Sequence, residues 1–143
     1  MVVHVIELEP SYRPSEDEEY MCSKHREYFR RKLLAWKEAI KRESSEILQQ
    51  LKEENWNEPD PSDRVTVEIE IGKELRTKDR LRKLIENIDA ALLRIEKGVY
   101  GYCEESNEPI GLRRLEARPV ARFCIEAQER HERFEKSHNE EVV

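Results

Sequence analysis

From Ser23 onward the apolar residues fall into a repeating pattern. Phe29, Leu33, Trp36, Ile40 and Ile47 are spaced four, three, four and seven residues apart. That is the seam of a heptad helix, with Glu43 and Gln50 filling two further seam positions. Ser23 suits the N-cap of that helix. The pattern breaks at NWNEPDP, where Pro59 and Pro61 exclude continuation. A second seam then runs through Val67, Ile71, Leu81, Ile85, Ile88, Leu92, Ile95 and Val99, with Glu74 and Lys78 its polar members. VTVEIEI within it alternates apolar and polar, which is also a strand signature. The 3-4 spacing runs on for four more turns and no partner strand is evident, so helix is expected. A gap of seven residues between two seamed helices predicts an antiparallel coiled-coil hairpin over residues 23–97, with its tip at about 56–65. At about 1.5 Å per residue, the stretch from Ser23 to Lys52 makes a rod of roughly 45 Å.

Residues 1–22 read as an irregular N-terminal segment, in which VVHVIEL could pair as a short strand and EPSYRPSEDEEY is an acidic, turn-rich linker. After Lys97 the helix stops at GVYGY. Residues 98–137 then hold a finger-like segment and a final helix, with Pro119 in its first turn and an end near Lys136. Residues 138–143 are expected to be a disordered tail.

Composition sharpens this outline. Charged residues make up 41% of the 143-residue chain, the hydrophobic set 37%, and mean hydropathy is −0.91. Long helices with one thin apolar seam fit those values better than a compact sphere. A formal charge of −6 argues against binding the phosphate backbone of nucleic acid. Three cysteines at unmatched spacing are no secreted disulfide framework. The apolar start is too short and interrupted for a signal peptide, and nothing later approaches a membrane span, so a cytoplasmic protein is expected.

Two places carry candidate chemistry. At the tip, Asp60 precedes Pro61 as an N-cap, and Asp63 follows at the third helical position, facing free amides and the positive end of the helix dipole. Any helix gains from acids placed so. Acids at the far end of a rod can also be presented inside a partner's cavity, and Arg76 and Arg80 on the descending helix can face solvent or that partner. In the segment CEESNEPIGLRRLEARPVARFCIEA, Cys103 and Cys124 stand 21 residues apart, as the first cysteines of two Cys-x-x-Cys pairs would. The second members are Ser106 and Ala127. A structural tetrahedral zinc site needs four ligands; serine is a poor one and alanine none. His131, one turn beyond Ala127, is a remote substitute. No metal and no other cofactor are therefore expected. Packing by Ile110, Leu112, Leu115, Val120, Phe123 and Ile125 is expected to offset the loss, with both thiols reduced. Asn107 stands where a knuckle favours glycine and tolerates a left-handed backbone.

EEYM (18–21), DPSDR (60–64), ELRTKDRLRKLI (74–85), YGYCE (100–104) and IGLRRLEARPVARFCI (110–125) together resemble the DksA/TraR family of bacterial RNA polymerase regulators. The resemblance runs from about Glu19 to Glu132. It implies a mainly α fold: a long antiparallel coiled-coil hairpin projecting from a small globular head, which holds a zinc-finger-like C-terminal module and a C-terminal helix. It also implies a monomer that enters the secondary channel of RNA polymerase without binding DNA. There it would destabilise open promoter complexes, repress ribosomal RNA synthesis and modulate biosynthetic promoters in the stringent response, with ppGpp as co-regulator. The polymerase-contact positions would be Asp60, Asp63, Arg64, Val65 and Arg80, where Val65 replaces a smaller alanine. The zinc positions correspond to Cys103, Ser106, Cys124 and Ala127, so the resemblance is to a two-cysteine, zinc-independent type. Among the alarmone positions, Leu84 and Arg118 fit, whereas Asn87 and Gln128 replace basic residues and imply a weakened site.

Two other functions fit parts of the pattern. A coiled-coil adaptor or scaffold would need only the heptads, and a Gre-like transcript-cleavage factor would use tip acids to hold magnesium. No nucleophile–base pair or glycine-rich phosphate loop supports an enzyme.

Overall fold

The computed structural model describes residues 6–54 and 61–141. Four helices follow in order: α1 (Ser23–Glu54), α2 (Pro61–Lys97), α3 (Leu112–Ala117) and α4 (Ile125–Glu141). The mainly α class is as expected. Among the described residues, the β content is one isolated antiparallel bridge, Tyr102 to Pro109. The chain divides into two compact units. One comprises residues 33–89; the other comprises the residues before Leu33 together with those after Asp89.

The 33–89 unit pairs the body of α1 with that of α2. Lys37 Nζ meets Asp89 Oδ1 at 2.6 Å across 52 residues of chain. Ser44 shares a groove with Leu75, Lys78, Asp79, Arg82 and Ile85. Early α1 therefore faces late α2, and the helices run antiparallel. Leu33, Ile40, Leu81 and Ile88 are buried along the seam, with Trp36, Ile47, Val67, Ile71 and Ile85 half-buried. Each fully buried aliphatic side chain contributes about 1.5–3 kcal/mol. VTVEIEI lies within α2. As a strand it would put residues 67, 69 and 71 on one face. In the helix Val67 and Ile71 share the seam, and Ile69 falls outside it at 53% exposure.

The second unit gathers the N-terminal segment, the first turns of α1, the last turns of α2, α3 and α4. Its core is Met21, Phe29, Ala91, Tyr100, Cys103, Ile110, Leu112, Leu115, Val120, Ala121 and Ala127. Phe29 touches Tyr100 with ring centroids 5.7 Å apart. No strand forms at Ile6–Leu8; instead the Ile6 carbonyl accepts a 2.9 Å hydrogen bond from Arg31 Nη2.

Three expectations need correction here. Val99 lies past the end of α2 and is 50% exposed, because the chain turns at Gly98, with φ 75°, before the seam reaches it. Ile125 is 57% exposed and Phe123 only half-buried, so neither joins the core as the other four residues of that set do. Pro119 sits in a turn between α3 and α4, and the last helix starts at Ile125 and runs to Glu141. No proline or glycine follows Pro119, so nothing stops α4 at Lys136 and the expected tail is helical up to residue 141.

Candidate functional site

The tip is described in part. Asp60 lies outside the described residues, and Asp63 is the third residue of α2. Arg64 and Val65 follow it, both exposed. One face further along α2 carries Lys73, Arg76, Thr77 and Arg80 around a shallow surface depression. Thr77 Oγ1 turns back to the Lys73 carbonyl at 3.0 Å. Spacing of three and four residues puts the three cations on one side of the helix. Sequence reasoning named Arg76 and Arg80 but missed Lys73, whose i, i+3, i+7 relation to them was readable.

The finger remnant keeps its backbone frame. Cys103 N–H donates to the Glu108 carbonyl at 2.8 Å, Asn107 N–H to the Cys103 carbonyl at 2.9 Å, and Ile110 N–H to the Gly101 carbonyl at 2.8 Å. Asn107 has φ 61°, the left-handed conformation expected of it. Glu104 N–H donates to the Arg122 carbonyl at 2.9 Å, which joins the two halves. The same pair closes through its side chains, Arg122 Nη2 lying 2.8 Å from Glu104 Oε2.

Inside that frame the four ligand positions hold two thiols, a hydroxyl and a methyl group. Ala127 is fully buried and offers no donor atom. Ser106 Oγ lies 4.0 Å from Cys124 Sγ and also hydrogen-bonds the sulfur of Cys103. Burial alone would push the Cys103 thiol up. Ser106 Oγ and the backbone N–H groups of Cys124, Ser106 and Glu105 outweigh it and bring the thiol down to about 6. The amides around Cys103 therefore favour its thiolate form, and a serine hydroxyl bridges to the second sulfur. All three cysteines are free. His131 stacks on Phe123 at 4.5 Å and faces Glu105 at 3.5 Å. The donor set does not fit a four-cysteine zinc site.

The finger loop is packed by the N-terminal segment, whose EEYM motif showed no such role in the sequence. Tyr20 Oη donates to the Gly101 carbonyl at 2.6 Å and accepts from Gly111 N–H at 3.0 Å. Met21 lies directly on Gly101, and Tyr100 Oη donates to the Pro119 carbonyl at 2.7 Å. The finger loop is thus clamped at both ends of its hairpin-like turn.

The four residues that the family resemblance would assign to an alarmone fall in different units. Leu84 is half-buried and Asn87 exposed in the 33–89 unit. In the other unit Arg118 is exposed, and Gln128 spends its amide on Glu132 at 3.0 Å.

Comparison with known proteins agrees with this layout. Residues 25–95 match the family model "DnaK suppressor protein DksA, N-terminal domain", and residues 98–133 match "Prokaryotic dksA/traR C4-type zinc finger". The chain is 58% identical over 130 residues to the RNA polymerase-binding transcription factor DksA of Caulobacter vibrioides, covering 91% of this chain and 92% of that one. It is 40% identical over 127 residues to the factor of the same name from Escherichia coli K12, covering 89% and 83%. The solved structure of transcription factor DksA2 from Pseudomonas aeruginosa superimposes with a TM-score of 0.76 at 37% identity, over 82% of this chain and 90% of that one. Among the described residues, no helix is long and apolar enough to cross a membrane.

Proposed function

The chain belongs to the DksA/TraR family of transcription regulators, which are not enzymes, and from that membership we propose that it binds RNA polymerase through the secondary channel and destabilises open promoter complexes. The 58% identity to a polymerase-binding relative across nine-tenths of the chain carries this reading. The paired helices of the 33–89 unit supply a stiff element, and Asp60 and Asp63 supply charge in the sequence around the junction of α1 and α2. The cations at 73, 76 and 80 offer a face for an acidic partner surface. Direct contact with DNA is disfavoured by the charge of −6.

In this role the acids act on polymerase rather than on binding. Asp63→Asn is expected to retain capture by core RNA polymerase while abolishing the shortening of open-complex half-life at a ribosomal promoter. A coupling of this kind is on the order of tenfold in half-life. Loss of capture together with the effect would assign Asp63 to docking instead, and an unaltered half-life with wild-type protein would remove the function itself.

Ribosomal RNA promoters are the repressed class in this proposal, and ppGpp is a co-regulator that acts weakly. Asn87 and Gln128 stand where the family pattern has basic residues, and two lost cations weaken the hold on a polyphosphate. Asn87→Lys combined with Gln128→Lys is expected to enhance the alarmone response in promoter-inhibition assays several-fold. An unchanged response in the double variant contradicts the assignment.

A further inference from the structure

We propose that Glu18, Cys22 and His25 form a binding site for a transition-metal ion of the zinc class, separate from the finger remnant. One ligand atom from each lies within 4.8 Å of the other two. His25 Nε2 and Glu18 Oε1 are 3.5 Å apart. Tetrahedral sites with bonds of about 2.0–2.3 Å have ligand-to-ligand edges of about 3.3–3.8 Å, and the spacing of this pair falls within that range.

His25 points to a ligand independently of the cluster. Its ring is fully buried, and Nε2 has no hydrogen-bond partner among the described residues. A buried polar atom left unpaired is uncommon and calls for an explanation. Nδ1 accepts from Met21 N–H at 3.2 Å, so in the metal-free chain the ring proton sits on Nε2, aimed at Glu18 and too far away to bond. The carboxylate is itself positioned: Tyr12 Oη donates to its two oxygens at 2.9 and 3.0 Å, and Ser15 N–H to Oε1 at 3.0 Å. Such outer contacts orient ligands in metal sites. Cys22, half-exposed immediately before α1, gives the cluster access to solvent, from which a water could serve as fourth ligand.

The donor set selects the ion. A thiolate and an imidazole beside one carboxylate suit zinc, cobalt or their neighbours, whereas calcium and magnesium prefer oxygen alone. Binding releases the Cys22 thiol proton to solvent. It also moves the His25 proton from Nε2 to Nδ1, so Met21 N–H must turn away. Met21 has φ 56°, unusual for a non-glycine residue, and its peptide is where that adjustment falls. The ion would tie the N-terminal segment to the first turn of α1, in the same unit as the clamped finger loop.

The test is a titration of the full-length, metal-stripped protein with Co2+ alone. The expected result is a sulfur-to-cobalt charge-transfer absorption with intense tetrahedral visible bands, saturating at one equivalent and reversed by Zn2+. Cys22→Ser should remove the charge-transfer band, and His25→Gln should weaken binding by at least about tenfold. Cys103→Ser combined with Cys124→Ser should leave the spectrum intact. If His25→Gln fails to fold, Cys22→Ser at its half-exposed position still decides the matter. Absence of a saturating band overturns the proposal. So does a band that survives Cys22→Ser and vanishes in the Cys103/Cys124 variant, since the ion would then sit in the finger.

Discussion

Replacing Gly101 by alanine should cost on the order of 2–4 kcal/mol and lower Tm by roughly 10 °C. Gly101 has φ 89°, a conformation that L side chains rarely adopt. An added Cβ would stand 2.7 Å from Met21 Sδ and 2.8 Å from Met21 Cγ. Relief requires Met21 to leave its buried position, which also disturbs the Tyr20 hydrogen bond to the Gly101 carbonyl. Gly98→Ala is the control. Gly98 has φ 75°, but a Cβ there meets nothing within 4 Å, so backbone strain alone remains, about 1 kcal/mol. The gap between the two variants measures the Met21 contact. Equal losses would mean that Met21 does not clamp the loop, and the account of how the finger dispenses with four ligands would fail.

The second large effect depends on pH. With the Cys103 thiol lowered from its ordinary value near 9 to about 6 in the folded chain, proton binding and folding are linked. Below pH 6 both states carry the proton and the thiolate adds nothing. Between 6 and 9 the unfolded chain holds a proton that the folded chain has released, so stability rises with pH. Above 9 the contribution is complete. Cys103→Ser keeps an acceptor for the three amides but does not titrate in this range. The stability gap between wild type and Cys103→Ser, measured by denaturant unfolding, should therefore open as pH rises from 5.5 to 9 and close on return. A gap of constant size across that range would show that the sulfur stays protonated.

Local periodicity explains why some of this was readable early. The seam of Phe29, Leu33, Ile40, Leu81 and Ile88 is a property of spacing, since a helix places every third or fourth residue on one face whatever surrounds it. Asn107 was legible for a similar reason: its left-handed backbone is a local need that few side chains tolerate. The serine at 106 and the alanine at 127 could be read directly. Less was legible where the chain meets itself at a distance. Tyr20 reaches Gly101 and Gly111 across 81 and 91 residues, and no spacing rule links them. Ile125 looked like core by its chemistry, yet it opens α4 on the outer side. Pro119 suited a helix start, but the turn that holds it is fixed by the Tyr100 hydroxyl and the buried Val120 and Ala121.

The sequence by itself determined the two long helices, the proline-marked break between them and the identity of the family, because heptad spacing, helix breakers and long motifs are written in consecutive residues. Only the tertiary structure decided how a finger short of two ligands keeps its shape and which amides face the Cys103 sulfur. It alone brought Glu18, Cys22 and His25 together around a buried nitrogen that makes no hydrogen bond. Each of those depends on the direction of amides and the exclusion of water, which exist only once distant segments have packed.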